Sequence, residues 1–170
     1  MLSVSVFTHA NGRIRYYLNL LKNWNMETEL LKNVDDTREV GIKIWDFWAD
    51  MWNGNLTLAE IIISKGFRLH IPNSASDAKT LYSSDDVKQL VSQIRGKYAK
   101  LHYYTVAGPF IDVNQQVVSA HWEATATPHK LHELFHNMPD KLIKIEGTDI
   151  LKFRDNKIFE CWTMNNLGKN

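Results

Sequence analysis

The sequence predicts an α+β fold, and three observations carry that expectation. Apolar residues recur at helical spacing through the first part of the chain. After Ala99 the period changes to two, and turn residues at Asp112 to Gln115 and at Asp155 to Asn156 divide the second part into long strands. Helices that precede antiparallel strands describe an α+β architecture.

Residues 13 to 33 place Ile14, Tyr17, Leu18, Leu21 and Trp24 three and four apart, which predicts an amphipathic helix. A second helix is expected from Thr37 to about Asn53, because Asp36 and Glu39 have the spacing of a capping box. Its polar residues Glu39, Lys43, Asp46, Asp50 and Asn53 form one narrow stripe, and Val40, Ile44, Trp45, Phe47, Trp48, Met51 and Trp52 cover the rest. Such a helix is buried around most of its circumference. Asn53, Gly54 and Asn55 end it, and Thr57 with Glu60 predicts a cap for a short helix through Ser64.

Phe67 to Ile71 alternates as a strand that Pro72 closes, and the polar PNSASDAKTLYSS that follows has the length of a lid loop. Ser83 and Asp86 predict the start of a further helix with Val87, Leu90, Val91, Ile94 and Tyr98 on one face. Strands are expected at about 101 to 111, 116 to 127, 142 to 154 and 157 to 165. Three helices cannot cover both faces of such a sheet. One face is therefore expected to curl around the helices and enclose a cavity. The other, with Ser119, His121, Glu123 and Thr125, suits a partly wet homodimer contact.

With 170 residues, 44% aliphatic and aromatic and 23% charged, the chain has the composition of an ordinary globular domain. Twenty Lys and Arg against 19 Asp and Glu give a net charge of +1, so no field favours nucleic acid or an anionic membrane. Cys161 is the only cysteine and forms no internal disulfide. No segment reaches the roughly 20 apolar residues of a membrane span, and the amino terminus lacks a secretory pattern, so a cytoplasmic protein is expected.

HELFH, His132 to His136, matches the H-E-x-x-H signature in which two histidines one helical turn apart hold zinc beside a general base. Pro128 and Pro139 leave little room for the long helix that motif needs, and Glu146 and Glu160 fall on expected strands. A zinc hydrolase is thus the minor alternative.

Asp149 is the sharpest chemical signal. It shares its strand face with Ile143, Ile145, Gly147, Leu151 and Phe153, and an unpartnered carboxylate there costs several kcal/mol. Either a hydrogen bond from a Trp, a Tyr or a backbone amide compensates, or burial raises the carboxyl pKa and makes an acid/base group of it. Gly147, two residues away, is expected to leave room for a ligand beside the carboxylate. Trp45, Trp48 and Trp52 either fill the core or stack on a planar ligand. His70 alternates out of phase with Leu69 and Ile71, and its value depends on whether it meets Asp149.

Three stretches carry a resemblance. MWNGNLTLAEIIISKGFRLHIP is similar to a helix, W-N-x-G-[DN]-L turn, helix and strand ending in H-x-P; HWEATAT to R-W-x-A-x-G-T; and EGTDILKFRDNKIFECW to G-x-D-I-x-[RK]-[FI]-x-D-G-K-I-x-E-x-W. These are motifs of the SnoaL-like polyketide cyclases, within the nuclear transport factor two and ketosteroid isomerase fold. The resemblance covers about residues 36 to 165, so residues 1–35 are an extension, partly helical, and 36–170 the SnoaL-like domain.

The resemblance implies a cone-shaped α+β barrel, its N-terminal helices packed in a strongly curved, mostly antiparallel sheet around an apolar pocket, and a dimer or higher oligomer. It implies cofactor-independent acid/base catalysis on a small apolar carbonyl compound, by intramolecular aldol cyclisation or isomerisation, with no metal. Asp149 takes the acid/base position, His129 the accompanying histidine and His70 an alternative to it. Trp48, Trp52, Tyr104, Trp122 and Trp162 are the expected ligand-binding residues, and HELFH falls on a connecting loop. A non-catalytic pocket or dimerisation module on the same scaffold is the alternative reading.

Overall fold

Period two does become four long antiparallel strands. In the computed structural model, which describes residues 34–71, 79–80, 83–128 and 142–166, these are β3 (Tyr98–Asp112), β4 (Val117–Pro128), β5 (Ile143–Arg154) and β6 (Lys157–Asn165). The chain separates into two compact units, Met1–Thr37 and Arg38–Asn170, and the sheet belongs to the second. Before it come α1 over 34–52, α2 (Leu58–Ile62), β1 (Ile63–His70), the two-residue β2 (Lys79–Thr80) and α3 (Ser84–Arg95).

The sheet runs in the order β2-β1-β6-β5-β4-β3, with β1 parallel to β6 and every other pair antiparallel. β4 shows strict alternation: Val118, Ala120, Trp122, Ala124 and Ala126 are buried, whereas Ser119, His121, Glu123 and Thr125 on the other face are half-buried. Register shifts interrupt β3 against β4, β5 against β6 and β1 against β6. Such irregularities let a sheet bend. The sheet is curved and open, an α+β fold of the cone-shaped kind.

α3 starts where the sequence places it. The Ser83 hydroxyl accepts from the Asp86 amide, and the Asp86 carboxylate accepts from the Ser83 amide, a complete capping box. Val87 and Val91 of α3 enter the core with Trp45 and Met51 of α1 and with Phe67, Val118, Leu151 and Ile158 of the sheet.

Three local expectations need correction. Residues 34–36 are already helical, so Asp36 and Glu39 lie inside α1; Glu39 pairs with Lys43 one turn on. Thr57 has helical backbone angles, and its hydroxyl donates to the side chain of Asn55 instead of capping α2. β1 begins at Ile63, not Phe67, because Gly66 at φ +79° carries the irregularity between Ile63 and Arg68 that lets the strand start early. Of the lid loop, β2 is described and pairs with Arg68 and Leu69. The predicted helix over 13 to 33 and the HELFH segment lie outside the described residues.

Candidate active site

Asp149 sits in the middle of β5, between Ala120 of β4 and Thr163 of β6, and is only 2% exposed. Its strand neighbours in phase, Ile145, Gly147, Leu151 and Phe153, are buried with it. Two donors reach one of its oxygens. The indole Nε1 of Trp48 donates to Oδ2 at 2.8 Å, and the Tyr103 hydroxyl donates to the same oxygen at 3.3 Å. Oδ1 is buried and makes no hydrogen bond of normal geometry, although Thr163 and Trp122 lie close enough to act on the carboxylate.

Burial pushes the Asp149 carboxyl above its ordinary range, against hydrogen bonding from Thr163, Trp48, Trp122 and Tyr103, which favours the charged form. Burial also raises the Tyr103 hydroxyl well above its usual value, with the Asp149 charge adding to the effect. Trp48 and Tyr103 therefore act as fixed donors near neutral pH.

Asp149 lines a cavity of about 100 Å³. Trp48 and Trp52 of α1, Leu90 and Ile94 of α3, and Tyr103, Trp122, Ala124 and Ile145 of the sheet supply much of its wall. Leu69 of β1 and Leu101 of β3, with three strands between them in the sheet order, both line it, so the sheet wraps around the space. No lysine, arginine or histidine among the described residues lines the cavity. The wall is greasy, and the carboxylate is its one acidic group among the described residues.

The position of the aromatic wall follows from how α1 ends. The Asn53 side chain donates to the Tyr103 carbonyl at 2.9 Å and accepts from the Tyr103 amide at 2.8 Å. Arg95 donates to the carbonyls of Trp52 at 2.6 Å and Leu101 at 3.3 Å, placing a cation at the C-terminus of α1. These bonds hold Trp52 and Tyr103 together, with stacked rings 6.3 Å apart; Tyr103 also stacks on Trp122 at 4.9 Å.

Of the site residues expected from sequence, Asp149, Trp48, Trp52 and Trp122 come together here. Trp45, by contrast, is core, its indole bonded to the Thr105 hydroxyl at 2.8 Å. Gly147 leaves no ligand space, because a Cβ there would meet Trp122 at 2.6 Å and the Met164 carbonyl oxygen at 2.5 Å. The missing side chain makes room for the indole of its cross-strand neighbour.

His70, Trp162 and Tyr104 are not among the cavity's lining residues. Leu69 and Ile71 point into the cavity, so His70 between them turns to the other face of the sheet, where it stacks on Trp162 at 4.9 Å and meets Glu160 at 2.9 Å. Tyr104 faces away likewise and donates to Glu123 at 2.5 Å. On that outer face His121, Glu123 and Glu146 bring possible ligand atoms within 4.8 Å of one another, but Lys144 already pairs with Glu123 at 2.7 Å. His129 lies outside the described residues.

Tyr103 and Thr163 bear on Asp149 and were not foreseen. Tyr103 had one available signal, an aromatic residue adjacent in sequence to Tyr104 and thus of opposite phase. Thr163 had the alternation of β6 with Cys161, also inward and buried beside the carboxylate.

Solved structures share this fold. A candidate polyketide cyclase from Acidithiobacillus ferrooxidans superposes with a TM-score of 0.62 at 23% identity, over 75% of this chain and 89% of its own. IdmH from Streptomyces antibioticus, also described as a candidate polyketide cyclase, has a TM-score of 0.59 at 17% identity, over 74% and 91%. An NTF2-like protein from Anabaena variabilis has a TM-score of 0.59 at 10% identity, over 78% and 90%. No family model matches the sequence, and a search of curated proteins returns no significant match. At these identities the likeness establishes the fold, that of SnoaL-like and NTF2-like proteins.

Proposed function

We propose that this protein is a SnoaL-like, polyketide-cyclase-type enzyme that binds a small, largely apolar carbonyl compound and moves a proton through Asp149 without a metal or cofactor. The observation that carries this reading is the asymmetry of one buried carboxylate. Trp48 and Tyr103 anchor Oδ2, whereas Oδ1 makes no hydrogen bond of normal geometry, and the residue lines an apolar cavity.

Oδ1 is then the atom that takes a hydrogen from carbon next to a carbonyl. The C–H electron pair passes into the carbonyl as an enolate, which either attacks a second carbonyl of the same molecule, giving a ring and an alkoxide, or is reprotonated at another carbon, giving an isomer. The proton returns from Asp149 or from His129, the histidine that the resemblance assigns. A raised carboxyl pKa strengthens the base. Exclusion of water by the aromatic wall strengthens the hydrogen bonds that hold it.

One observation favours a second reading, a non-catalytic binding module: two protein donors already hold the carboxylate, and no described histidine lines the cavity. Asp149→Asn separates the two. Solvent-deuterium exchange at the α-carbon of a panel of cyclic and linear diketones is followed by NMR with the wild type and the variant. The enzyme reading expects faster exchange with the wild type, lost in the variant while ligand affinity stays. Exchange that never exceeds the buffer rate, with a variant that mainly loses stability, would sink it.

A further inference from the structure

Asp149 has two cross-strand neighbours, and only one of them carries a polar side chain. On β4 the residue opposite is Ala120, which offers a methyl group; on β6 it is Thr163, which offers a hydroxyl. Side chains directly opposed on one face of an antiparallel pair have Cβ atoms about 4.5–5.5 Å apart, within reach of a threonine hydroxyl and an aspartate carboxylate. Asp149 and Thr163 both line the cavity, so they share the inward face of the sheet. We infer that Thr163 positions the reacting oxygen of Asp149, its hydroxyl taking one lone pair of Oδ1 and leaving the other for the hydrogen of the substrate. This rests on the reading of Asp149 as the acid/base group. Thr163 acts through the carboxylate, which makes it a positioning residue.

The surroundings of the two oxygens direct the hydroxyl to Oδ1. Trp48 and Tyr103 already donate to Oδ2, at 2.8 Å and 3.3 Å, whereas Oδ1 makes no hydrogen bond of normal geometry. Of the side chains whose hydrogen bonding favours the charged carboxylate, Thr163 contributes most, ahead of Trp48, Trp122 and Tyr103. Trp122 stands opposite Gly147, two residues along the strand from Asp149, and an indole N–H can only donate.

A hydroxyl suits an oxygen that changes its protonation state. The ionised carboxylate only accepts, but the carboxylic acid formed when Oδ1 takes a proton also donates. An indole serves the first state alone. The Thr163 hydroxyl donates to the ionised oxygen and, with its hydrogen rotated, accepts from the protonated one, so Oδ1 is paired in both states of the cycle. The charge-assisted bond is the stronger of the two, and the net effect therefore favours the base.

The groups around the carboxylate leave its titration to itself. Tyr98 and Tyr103 of β3 line the cavity, and Cys161 of β6 lies beside Asp149; burial raises the pKa of all three. Asp46 and Asp50 of α1 are exposed, and no lysine, arginine or histidine among the described residues lines the cavity.

The test removes the hydroxyl in two ways and restores it in one. Thr163→Val keeps the shape of the side chain, Thr163→Ala removes the hydroxyl with less bulk, and Thr163→Ser brings it back. The Asp149 carboxyl is followed by carbon-13 NMR over a pH series in aspartate-labelled protein, its resonance identified by its loss in Asp149→Asn. Its midpoint is expected to rise by about one pH unit in the Val and Ala variants and to return to the wild-type value in Thr163→Ser. The low-pH limb of hydrogen exchange from the diketones should move by the same amount, with KM unchanged and the rate recovered at higher pH. A hydroxyl that only packs β6 would lower thermal stability without moving the midpoint.

An unmoved midpoint in both the Val and Ala variants, or a shift that Thr163→Ser does not reverse, overturns the proposal. The midpoint is read without turnover, which keeps the two readings apart. If it moves as expected but the wild type exchanges no faster than buffer, the catalytic reading falls and the assignment of the hydroxyl to Oδ1 stands. If the wild type exchanges through Asp149 while the midpoint stays in both variants, Thr163 loses its role and the catalytic reading stands.

Discussion

At the level of single residues, the two oxygens of Asp149 have different surroundings, and that difference has a measurable pH signature. Burial raises the folded-state carboxyl pKa above the value in the unfolded chain. The folded protein thus binds this proton more tightly, so the stability it contributes is present below the unfolded value and is lost as pH rises through the folded one. Asp149→Asn has no proton to bind. The stability of the wild type relative to this variant should fall as pH rises across the acid range and level off above the raised pKa, as chemical denaturation over a pH series would show. A base must be ionised to work, so activity should rise through the same interval. A stability difference that grows with pH there would contradict the assignment of a raised pKa. Trp48 and Tyr103 limit the rise by donating to Oδ2, and removing either donor should push the interval upward.

Among the elements, the sequence is most informative where local chemistry decides the structure. Ser83 and Asp86 close a capping box that their spacing announces, and the alternation of β4, β5 and β6 is visible because one face of each is buried. Ser83→Ala should cost about 1 kcal/mol. Asn53→Ala should cost more, since it strands both the amide and the carbonyl of Tyr103 in a part-buried position. Thermal denaturation of the two variants side by side checks the ranking, and equal losses would deny Asn53 its clamping role. Nothing in the spacing of Asn53 and Tyr103, fifty residues apart, foretells this pair. The phase of β3 was hidden for a related reason. As an edge strand with three register shifts it keeps no regular alternation, so Tyr103 and Tyr104 could not be told apart. The resemblance puts His70 and Trp162 at the ligand, whereas phase, with Leu69 and Ile71 turned inward, assigns His70 and the Trp162 stacked on it to the outer face.

For the second unit as a whole, the hollow is a consequence of geometry that composition alone could not size. A curved sheet with α1 and α3 across its concave side encloses more space than the helices fill, and one of the two β4 residues facing that space, beside Trp122, is Ala124, small and 4% exposed. Ala124 pairs with Tyr103 on one side and Ile145 on the other, and all three line the cavity, so a larger side chain there extends into it. A chain selected for stability alone gains from filling such a space, commonly by about 0.5–2 kcal/mol. Ala124→Leu should therefore raise thermal stability while abolishing binding of the small diketones. Stability and ligand binding then move in opposite directions, which identifies the hollow as a place kept for a ligand. Unchanged binding in a folded Ala124→Leu variant would put the ligand elsewhere, and with it the role of the carboxylate that the cavity surrounds.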